Sequence, residues 1–340
     1  MEKVSKCYLG MDVSKLYFDV SLMHVVDHQS GTVEYNRFDN TAEGMKTFKK
    51  YLQHHKVPFN SNTLAVIENT GVYHRLIWGF CTVHNVPLYI GNALHIKNSF
   101  GLVRGKNDKI DSQRLCRYAY KHEDEIKITQ ALNPGLLKLK DLMTARTNLV
   151  KHQSATKSYI KELGQFQDKS IQKLMEKSHR AALKGLATSI EQLEKDIEKA
   201  LKEDSSMYTN YTLLKTVPGV GHITAVYMLC WTGNFSGGIS GKQLACYAGV
   251  VPFSERSGSS IRGKNKVHKM ANKDLKKLLH LCALSAIRCY PEFQDYYQRK
   301  VSEGKHPMGV LNAIRNKIAL RAAAVIREQK EYVNNYKKAA

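Results

Sequence analysis

Two aspartates, Asp108 and Asp111, stand three residues apart at the start of a predicted helix, within LVRGKNDKIDSQRLCRY, residues 102–118. Residues at i and i+3 share a helix face, so both carboxylates can point at one place. The flanking residues are strongly basic: Arg104, Lys106, Lys109, Arg114 and Arg117. Paired carboxylates in basic surroundings suit a divalent metal ion that meets a phosphate. The alternative is a solvated helix start, where capping and the helix dipole favour Asp.

The sequence before this helix has the pattern of a mixed α/β sheet layered with helices. Alternation and β-forming residues predict strands over 7–13, 17–25 and 32–38, a helix over 42–55 capped by Thr41, a strand over 64–70, a helix over 72–84 and a strand over 87–90. Short turns separate the first three strands, which favours an antiparallel meander. A turn then leads to the helix of Asp108 and Asp111.

Two more acids end predicted strands, Asp12 in CYLGMDV and Glu68 in LAVIENT. In sheets of this order the first and fourth strands can be neighbours, so Asp12, Glu68, Asp108 and Asp111 can converge at one edge. Like charges repel strongly at short range, and a bound cation would resolve the conflict. Mg²⁺ fits, because it prefers carboxylate oxygens and keeps waters and phosphates as its other ligands. For Asp12, an ordinary turn residue after a strand is the alternative.

Residues 134–206 show apolar positions at helical spacing amid many Lys and Glu. The pattern predicts a long helical pair, either folded back on itself or paired with another subunit. Beyond it, Pro218-Gly219-Val220-Gly221 joins two predicted helices and resembles a helix-hairpin-helix turn. Backbone N–H groups near Gly219 and Gly221 would contact a nucleic-acid phosphate. A plain αα-hairpin is the alternative.

The stretch SERSGSSIRGKNKVHK, residues 254–269, is a polar, basic loop ahead of an amphipathic helix. Its serines are Ser254, Ser257, Ser259 and Ser260, and its cations are Arg256, Arg262, Lys264, Lys266 and Lys269. A serine hydroxyl beside a bound phosphate can attack it, with the cations stabilising the transition state. Composition alone favours the alternative, a basic loop that grips a nucleic-acid backbone.

The order D…E…DxxD, carried here by Asp12, Glu68 and the pair Asp108 and Asp111, resembles the RNase H-like fold and its RuvC-like resolvase branch. With the C-terminal pattern G-V-V-P…S-G…G…K…N…L-K-K, nearly the whole chain resembles the bacterial insertion-sequence DEDD transposases, whose relatives include the Piv-type DNA invertases. Ala271 departs from the family, which commonly has Gly there.

The resemblance implies three parts: a RuvC-like DEDD domain over 1–125, a helical coiled-coil region for dimerisation over 126–208, and a mainly helical transposase domain over 209–340. It implies that Asp12, Glu68, Asp108 and Asp111 hold Mg²⁺. The serine before glycine in the family's loop is the nucleophile, which here is Ser257, with Ser259 and Ser260 as nearby candidates. It further implies donor and target DNA, a structured non-coding guide RNA, and a dimer or tetramer.

Composition agrees with a nucleic-acid partner. The 340 residues carry a formal net charge of +22, and an excess of this size favours an extended polyanion. No long apolar run, signal peptide or basic amphipathic anchor is present, which disfavours a membrane. The seven cysteines are scattered without a CxxC pair, as expected of reduced thiols rather than zinc ribbons. We therefore expect a bacterial cytoplasmic protein, nucleoid-associated when active.

Positive charge is concentrated near the C-terminus, where residues 251–340 hold 19 Lys or Arg and 7 Asp or Glu. On the last predicted helix, Arg315, Lys317, Arg321 and Arg327 are predicted to cover nucleic acid or an acidic partner.

Three functions remain open from the sequence. The first is a serine-dependent transposase or site-specific recombinase, of which a Piv-like DNA invertase is a subtype. The second is a metal-only nuclease resembling a Holliday-junction resolvase, in which water attacks and Ser257 only binds phosphate. The third is a non-catalytic nucleic-acid scaffold, against which the intact acids and serine argue.

Overall fold

The computed structural model of the chain describes residues 5–27, 29–100, 107–166, 168–253, 256–257, 261–262, 267 and 271–334, and of residues 256, 257, 261 and 262 the backbone alone. The chain divides into two compact units, Met1–Leu132 and Asn133–Ala340. The predicted three-part division stays a prediction. Within the described ranges, no helix combines the length and apolar character needed to cross a membrane.

The first unit has three strands followed by helices and strands in alternation, in the predicted order except for the additional helix α3. Its elements are β1 (Ser5–Val13), β2 (Tyr17–Val26), β3 (Gln29–Asp39), α1 (Ala42–His54), β4 (Thr63–Glu68), α2 (Arg75–Val83), β5 (Leu88–Gly91), α3 (Ala93–Ser99) and α4 (Asp108–Lys121). As predicted, Thr41 caps α1, its side chain accepting a hydrogen bond from the N–H of Gly44.

The sequence prediction missed helix α3, because a turn was expected in its place. Asn92 begins this helix, and its side-chain oxygen accepts hydrogen bonds from the N–H groups of Leu94 and His95. A helix of this length is too short to show a periodic apolar stripe, which explains why the sequence pattern gave no signal.

The strands form a mixed sheet in the order β3-β2-β1-β4-β5. Strands β1, β2 and β3 pair antiparallel, which confirms the predicted meander, and β4 pairs parallel with both β1 and β5. The first and fourth strands are thus neighbours, as the sequence suggested. Among the described residues the first unit is therefore the expected mixed α/β layer structure.

Both faces of this sheet are covered, because side chains along each strand alternate between them. Met11 and Ile67 lie on one face and belong to a core that includes Phe48 of α1. Tyr8 lies on the other face, in a core that includes Leu115 of α4. Residues one step beyond Met11 and Ile67 must consequently lie on the α4 face.

The second unit begins with two long helices, α5 (Pro134–Phe166) and α6 (Lys169–Lys202). They run antiparallel: Lys138 pairs with Glu203 at one end, with Nζ and Oε2 2.7 Å apart. Nearer the other end, the rings of Tyr159 and His179 lie 5.9 Å apart. Of the two alternatives left open, the helical pair folds back on itself within one chain. Its role in dimer assembly stays a prediction.

The rest of the second unit is mainly helical where the structure describes it. It comprises α7 (Ser205–Thr216), α8 (His222–Thr232), α9 (Gly241–Tyr247), β6 (Arg256–Ser257), β7 (Ile261–Arg262), α10 (Lys273–Cys289), α11 (Pro291–Ser302) and α12 (Pro307–Glu328). One hydrophobic core joins these helices, with Met228 of α8, Leu279 of α10 and Ile318 of α12 fully buried.

Candidate active site

Asp12 and Glu68 lie side by side at the ends of two parallel strands. The register pairs Met11 with Ile67, and Asp12 and Glu68 are the next residues of β1 and β4. By the alternation of the strands, both point to the face that α4 covers. On the other side of β1, Asp12 pairs with Asp19 of β2. Three carboxylates therefore lie in one row across neighbouring strands.

Helix α4 lies directly on the sheet because Gly10 has no side chain. A Cβ atom at Gly10 would stand 2.0 Å from the backbone nitrogen of Cys116 and 2.2 Å from the carbonyl oxygen of Ser112. The hydroxyls of Ser112 and Ser21 lie 2.9 Å apart, both buried. The thiol of Cys116 donates to the carbonyl of Tyr8, at 3.2 Å. Cys116 thus lies over Tyr8 and Ser112 over Gly10, so the N-terminus of α4 reaches the end of β1.

This packing brings the four predicted acids together. Burial is the main cause that raises the pKa of Asp12 to about 6, and the nearby charges of Asp108, Asp111, Glu68 and Asp19 add to it. We call Asp12, Asp19, Glu68, Asp108 and Asp111 the acid edge. The sequence missed Asp19, which lies between Phe18 and Val20 in a strand whose register had not been fixed.

Arg37 links two members of the acid edge. It stands opposite Asp19 in the β2–β3 register, and its Nε donates to Asp19 Oδ1 at 3.0 Å. Its Nη2 donates to Asp108 Oδ2 at 3.2 Å. The guanidinium stacks on the ring of Tyr17, 3.9 Å from the centroid. The sequence missed Arg37, although cross-strand pairing with Asp19 would have identified it.

The donor chemistry of the acid edge fits a hard divalent cation, because every candidate ligand is a carboxylate oxygen. Such an ion would also relieve the repulsion around Asp12. In the described ranges, however, no group of three or more His, Cys, Asp or Glu side chains is arranged to hold a metal ion. Asp108 instead faces Arg37, and Asp111 accepts a hydrogen bond from Arg114 at 2.8 Å. The carboxylates of the acid edge lie close together, but the two on α4, Asp108 and Asp111, face arginines.

The glycine turn between α7 and α8 packs inward. Gly219 has a φ of +81°, and a Cβ there would stand 2.3 Å from the carbonyl oxygen of Cys282 on α10. The N–H of Val220 donates to the carbonyl of Val217, and the backbone of Gly221 hydrogen-bonds the Cys282 thiol. These contacts do not support a phosphate site at Gly219 and Gly221, which stays a prediction.

Ser257 lies on a small β-hairpin. Its backbone pairs with that of Ile261, and the backbone of Arg256 pairs with that of Arg262. The other loop residues named above lie outside the described residues: Ser254, Ser259, Ser260, Lys264, Lys266 and Lys269. The same holds for Arg104 and Lys106 ahead of α4.

Helices anchor both flanks of this hairpin. Before it, the carbonyl of Val250 accepts a hydrogen bond from the side-chain amide of Asn312 on α12, at 2.7 Å. After it, Asn272 caps α10 and hydrogen-bonds the hydroxyls of Tyr227 and Tyr247, at 3.0 and 2.9 Å. The described segments that precede and follow the hairpin are therefore each held to helices. The sequence missed these anchors because their partners lie far apart in the chain.

Helix α12 corrects one prediction. Arg315 does not cover a surface: only 6% of it is exposed, and its Nη2 lies 2.9 Å from Nδ1 of His280. Arg321 is largely buried and pairs with Glu292. Lys317 stacks on the ring of Tyr296, 3.8 Å from its centroid. The number of cations in the sequence overestimated the positive surface available to nucleic acid, because some of these cations form contacts inside the fold.

Two family models match the chain in the regions that hold these features. Residues 9–164, which contain the four predicted acids, match a model of DEDD type described as a transposase. Residues 211–298, which contain the glycine turn and Ser257, match the Transposase IS116/IS110/IS902 family. The chain matches the DEDD transposase family of insertion sequences. These matches and the relatives below support an enzyme of the DNA transposase or recombinase class.

Individual relatives agree with that assignment. The chain is 29% identical to the pilin gene-inverting protein of Moraxella bovis, over 97% of this chain and 98% of that protein. It is 28% identical to the transposase for insertion sequence IS1328 of Yersinia enterocolitica, over 42% of each chain. It is 32% identical to the IS110 43.6 kDa protein of Streptomyces coelicolor, over 32% of this chain and 27% of that protein.

Proposed function

We propose that this transposase cuts and rejoins DNA through a covalent intermediate on Ser257, assisted by Mg²⁺ at the acid edge. The observation that carries the proposal is the convergence of Asp108, Asp111 and Glu68 around Asp12, whose pKa is raised by burial first and by these neighbouring charges in addition. Carboxylates forced together in this way are typical of a site that a cation completes.

Asp12, Glu68, Asp108 and Asp111 would hold the metal. When bound, a divalent ion neutralises charge on the scissile phosphate and on the leaving oxygen. The match to the DEDD transposase model fits divalent-metal dependence, and the oxygen-only donor set favours Mg²⁺.

Ser257 would supply the nucleophile. Its Oγ loses a proton and forms a bond to phosphorus, while the bond from phosphorus to the leaving DNA oxygen breaks and that oxygen takes up a proton. Attack by the hydroxyl of a second strand on this phosphoester restores the serine and joins the DNA. The segments before and after the hairpin are held to helices at Val250 and Asn272, and the loop cations would neutralise the phosphate.

The partners follow from charge and family. The net charge of +22 exceeds what one active site needs, and we propose that it holds donor and target DNA together with a structured non-coding RNA. A homodimer or tetramer in the cytoplasm, in contact with the nucleoid, would join serine and acid edge from different subunits.

A trapping experiment tests the serine. The protein is incubated with Mg²⁺, element-end DNA and RNA from the element's flanks, then denatured and digested, and mass spectrometry locates any nucleotide-linked peptide. We expect the adduct on Ser257. Ser257→Ala should lower strand joining roughly 10⁴-fold or more, as expected when a nucleophile is removed. Ser259→Ala and Ser260→Ala are the matched controls.

The outcomes separate the hypotheses. An adduct on Ser259 or Ser260 would keep the mechanism and move the nucleophile. Cut DNA without covalently bound protein, with cutting intact in Ser257→Ala and lost in Asp108→Asn, would replace the proposal with a metal-only nuclease resembling a Holliday-junction resolvase. Recombination that survives substitution of both Asp12 and Asp108 would leave a non-catalytic scaffold.

DNA inversion is a second candidate function. The observation that favours it is the full-length similarity to the pilin gene-inverting protein, which covers 97% of this chain. A plasmid that carries two recombination sites in inverted orientation distinguishes inversion from excision and insertion, because inversion keeps the intervening segment and reverses its restriction map.

A further inference from the structure

Arg37 is a cation that contacts two carboxylates of the acid edge. Its Nε donates to Asp19 Oδ1 and its Nη2 to Asp19 Oδ2, at 3.0 and 3.1 Å, which is the two-pronged arrangement of a strong arginine–carboxylate pair. The same Nη2 reaches Asp108 Oδ2 at 3.2 Å. One guanidinium thus bridges a carboxylate of the sheet and a carboxylate of α4.

The two halves of this bridge differ in strength. Asp19 is only 1% exposed and also accepts a hydrogen bond from the hydroxyl of Tyr35, so its bond to Arg37 is buried and doubly supported. The Asp108 side chain is 44% exposed, and that of Arg37 is 45% exposed. An exposed ion pair contributes little, because water competes for both groups. The contact to Asp108 is therefore the one that can open.

Opening that contact would matter for metal binding. Asp108 Oδ2 accepts from Arg37 and lies 3.4 Å from the hydroxyl of Tyr17. With both donors on Oδ2, Asp108 can offer a metal ion only its other oxygen, and the guanidinium charge beside it opposes a divalent ion there. A divalent ion at the acid edge should therefore bind more tightly once Asp108 leaves Arg37, while the pair between Arg37 and Asp19 stays intact.

We propose that Arg37 is a displaceable internal cation, which holds Asp108 in the metal-free protein and thereby limits the affinity of the acid edge for divalent ions. The inference rests on the proposed metal site. It makes Arg37 a positioning residue that acts through Asp108. Arg114 differs, because it pairs with Asp111 three residues away in the same helix and moves with it.

Divalent-ion titration of the full-length protein tests the inference without reference to activity. Calorimetry with Mg²⁺ and with Mn²⁺ would compare the wild type with Arg37→Gln. Removing an exposed competitor should tighten binding about threefold to fivefold. Lys46→Gln is the matched control: it removes the same charge from an exposed pair with Glu43 on α1, and it should leave the affinity unchanged.

A double variant guards against a folding defect. Arg37→Gln alone leaves Asp19 buried and without its arginine, which both destabilises the sheet and adds an uncompensated charge. Arg37→Gln with Asp19→Asn removes that charge while still releasing Asp108. Tighter binding in the double variant than in Asp19→Asn alone supports the inference.

The remaining outcomes overturn it in distinguishable ways. Suppose that the wild type binds the ions, that Asp108→Asn abolishes binding, and that the Arg37 variants bind as tightly as the proteins they are compared with, or more weakly. The proposed metal site is then supported, and the proposed role of Arg37 is wrong. If Lys46→Gln tightens binding as much as Arg37→Gln, net charge accounts for the effect. If the wild type binds neither ion in a way that depends on Asp108, the proposed metal site itself fails.

Discussion

The acid edge of the first unit and a cluster in the second unit handle charge in opposite ways. The Glu292 cluster consists of Glu292, Phe293, Arg321 and Tyr332. There one arginine meets one glutamate, and its guanidinium lies between two aromatic rings, 4.7 Å from the centroid of Phe293 and 4.8 Å from that of Tyr332. The hydroxyl of Tyr332 donates to Glu292. Opposite charges are balanced and enclosed.

The acid edge is unbalanced. Five carboxylates lie together there, and burial, with the repulsion between them in addition, raises the pKa of Asp12. Proteins retain such an arrangement mainly at functional sites, because it costs stability in the absence of a ligand. The comparison teaches that an enclosed pair of opposite charges stabilises the fold, whereas carboxylates crowded together destabilise the fold and favour a cation. Substitutions should therefore destabilise one region and stabilise the other.

The largest loss of stability is expected from filling the close contact between Gly10 and α4, which positions the acid edge. Gly10→Ala places a methyl group against the backbone of Cys116 and Ser112, which cannot yield unless α4 moves. We expect unfolding of the first unit to become easier by about 3 kcal/mol or more, at the upper end of overpacking effects. Gly79→Ala in α2 is the control, since its Cβ would lie 3.6 Å from Leu132 Cδ2, an ordinary van der Waals contact.

Tryptophan fluorescence in urea measures this effect one unit at a time. The chain has two tryptophans, Trp78 in the first unit and Trp231 in the second. A Trp231→Phe background reports the first unit, and a Trp78→Phe background reports the second. A Gly10→Ala protein as stable as Gly79→Ala would show that α4 does not depend on this contact.

The next largest effect is expected when a substitution breaks the Glu292 cluster. Glu292→Gln removes the carboxylate from a largely buried arginine, whose charge then has no acid partner in the cluster. We expect the second unit to lose about 2 kcal/mol, less than for a fully buried pair because both side chains keep some exposure. Glu328→Gln, which opens the exposed pair with Arg327, should change stability by less than about 0.5 kcal/mol. Equal losses in both variants would contradict the comparison.

Most of the first unit was predictable, because period-two strands and capped helices leave a local signal. Asp12 and Glu68 were placed at neighbouring strand ends from strand order alone. Asp19 and Arg37 were missed, since their meeting depends on a cross-strand register that strand assignment does not fix. Glu292 and Arg321 were missed for a related reason: their contact depends on how helices far apart in sequence pack, and no periodicity reports it.

The smallest effect has the opposite sign. Asp12→Asn removes a charge from the acid edge while keeping the shape of the side chain, so the metal-free first unit should become more stable. The pKa of Asp12 is about 6 in the folded protein, above the roughly 3.9 of an unfolded chain, so folding favours the protonated form. The contribution of Asp12 to wild-type stability should therefore fall as the pH rises from about 4 to about 6, and then level off.

Asp12→Asn should lack this fall. The difference between the two proteins should be near zero below pH 4 and reach about 1–2 kcal/mol at pH 7, a value reduced for the partial solvent exposure of Asp12. Urea unfolding in EDTA, followed by Trp78 across that pH range, measures it. Excess Mg²⁺ should then stabilise the wild type and leave Asp12→Asn unchanged. An asparagine variant that is less stable at pH 7 would mean that the acid edge is not strained, and the contrast with the Glu292 cluster would fail.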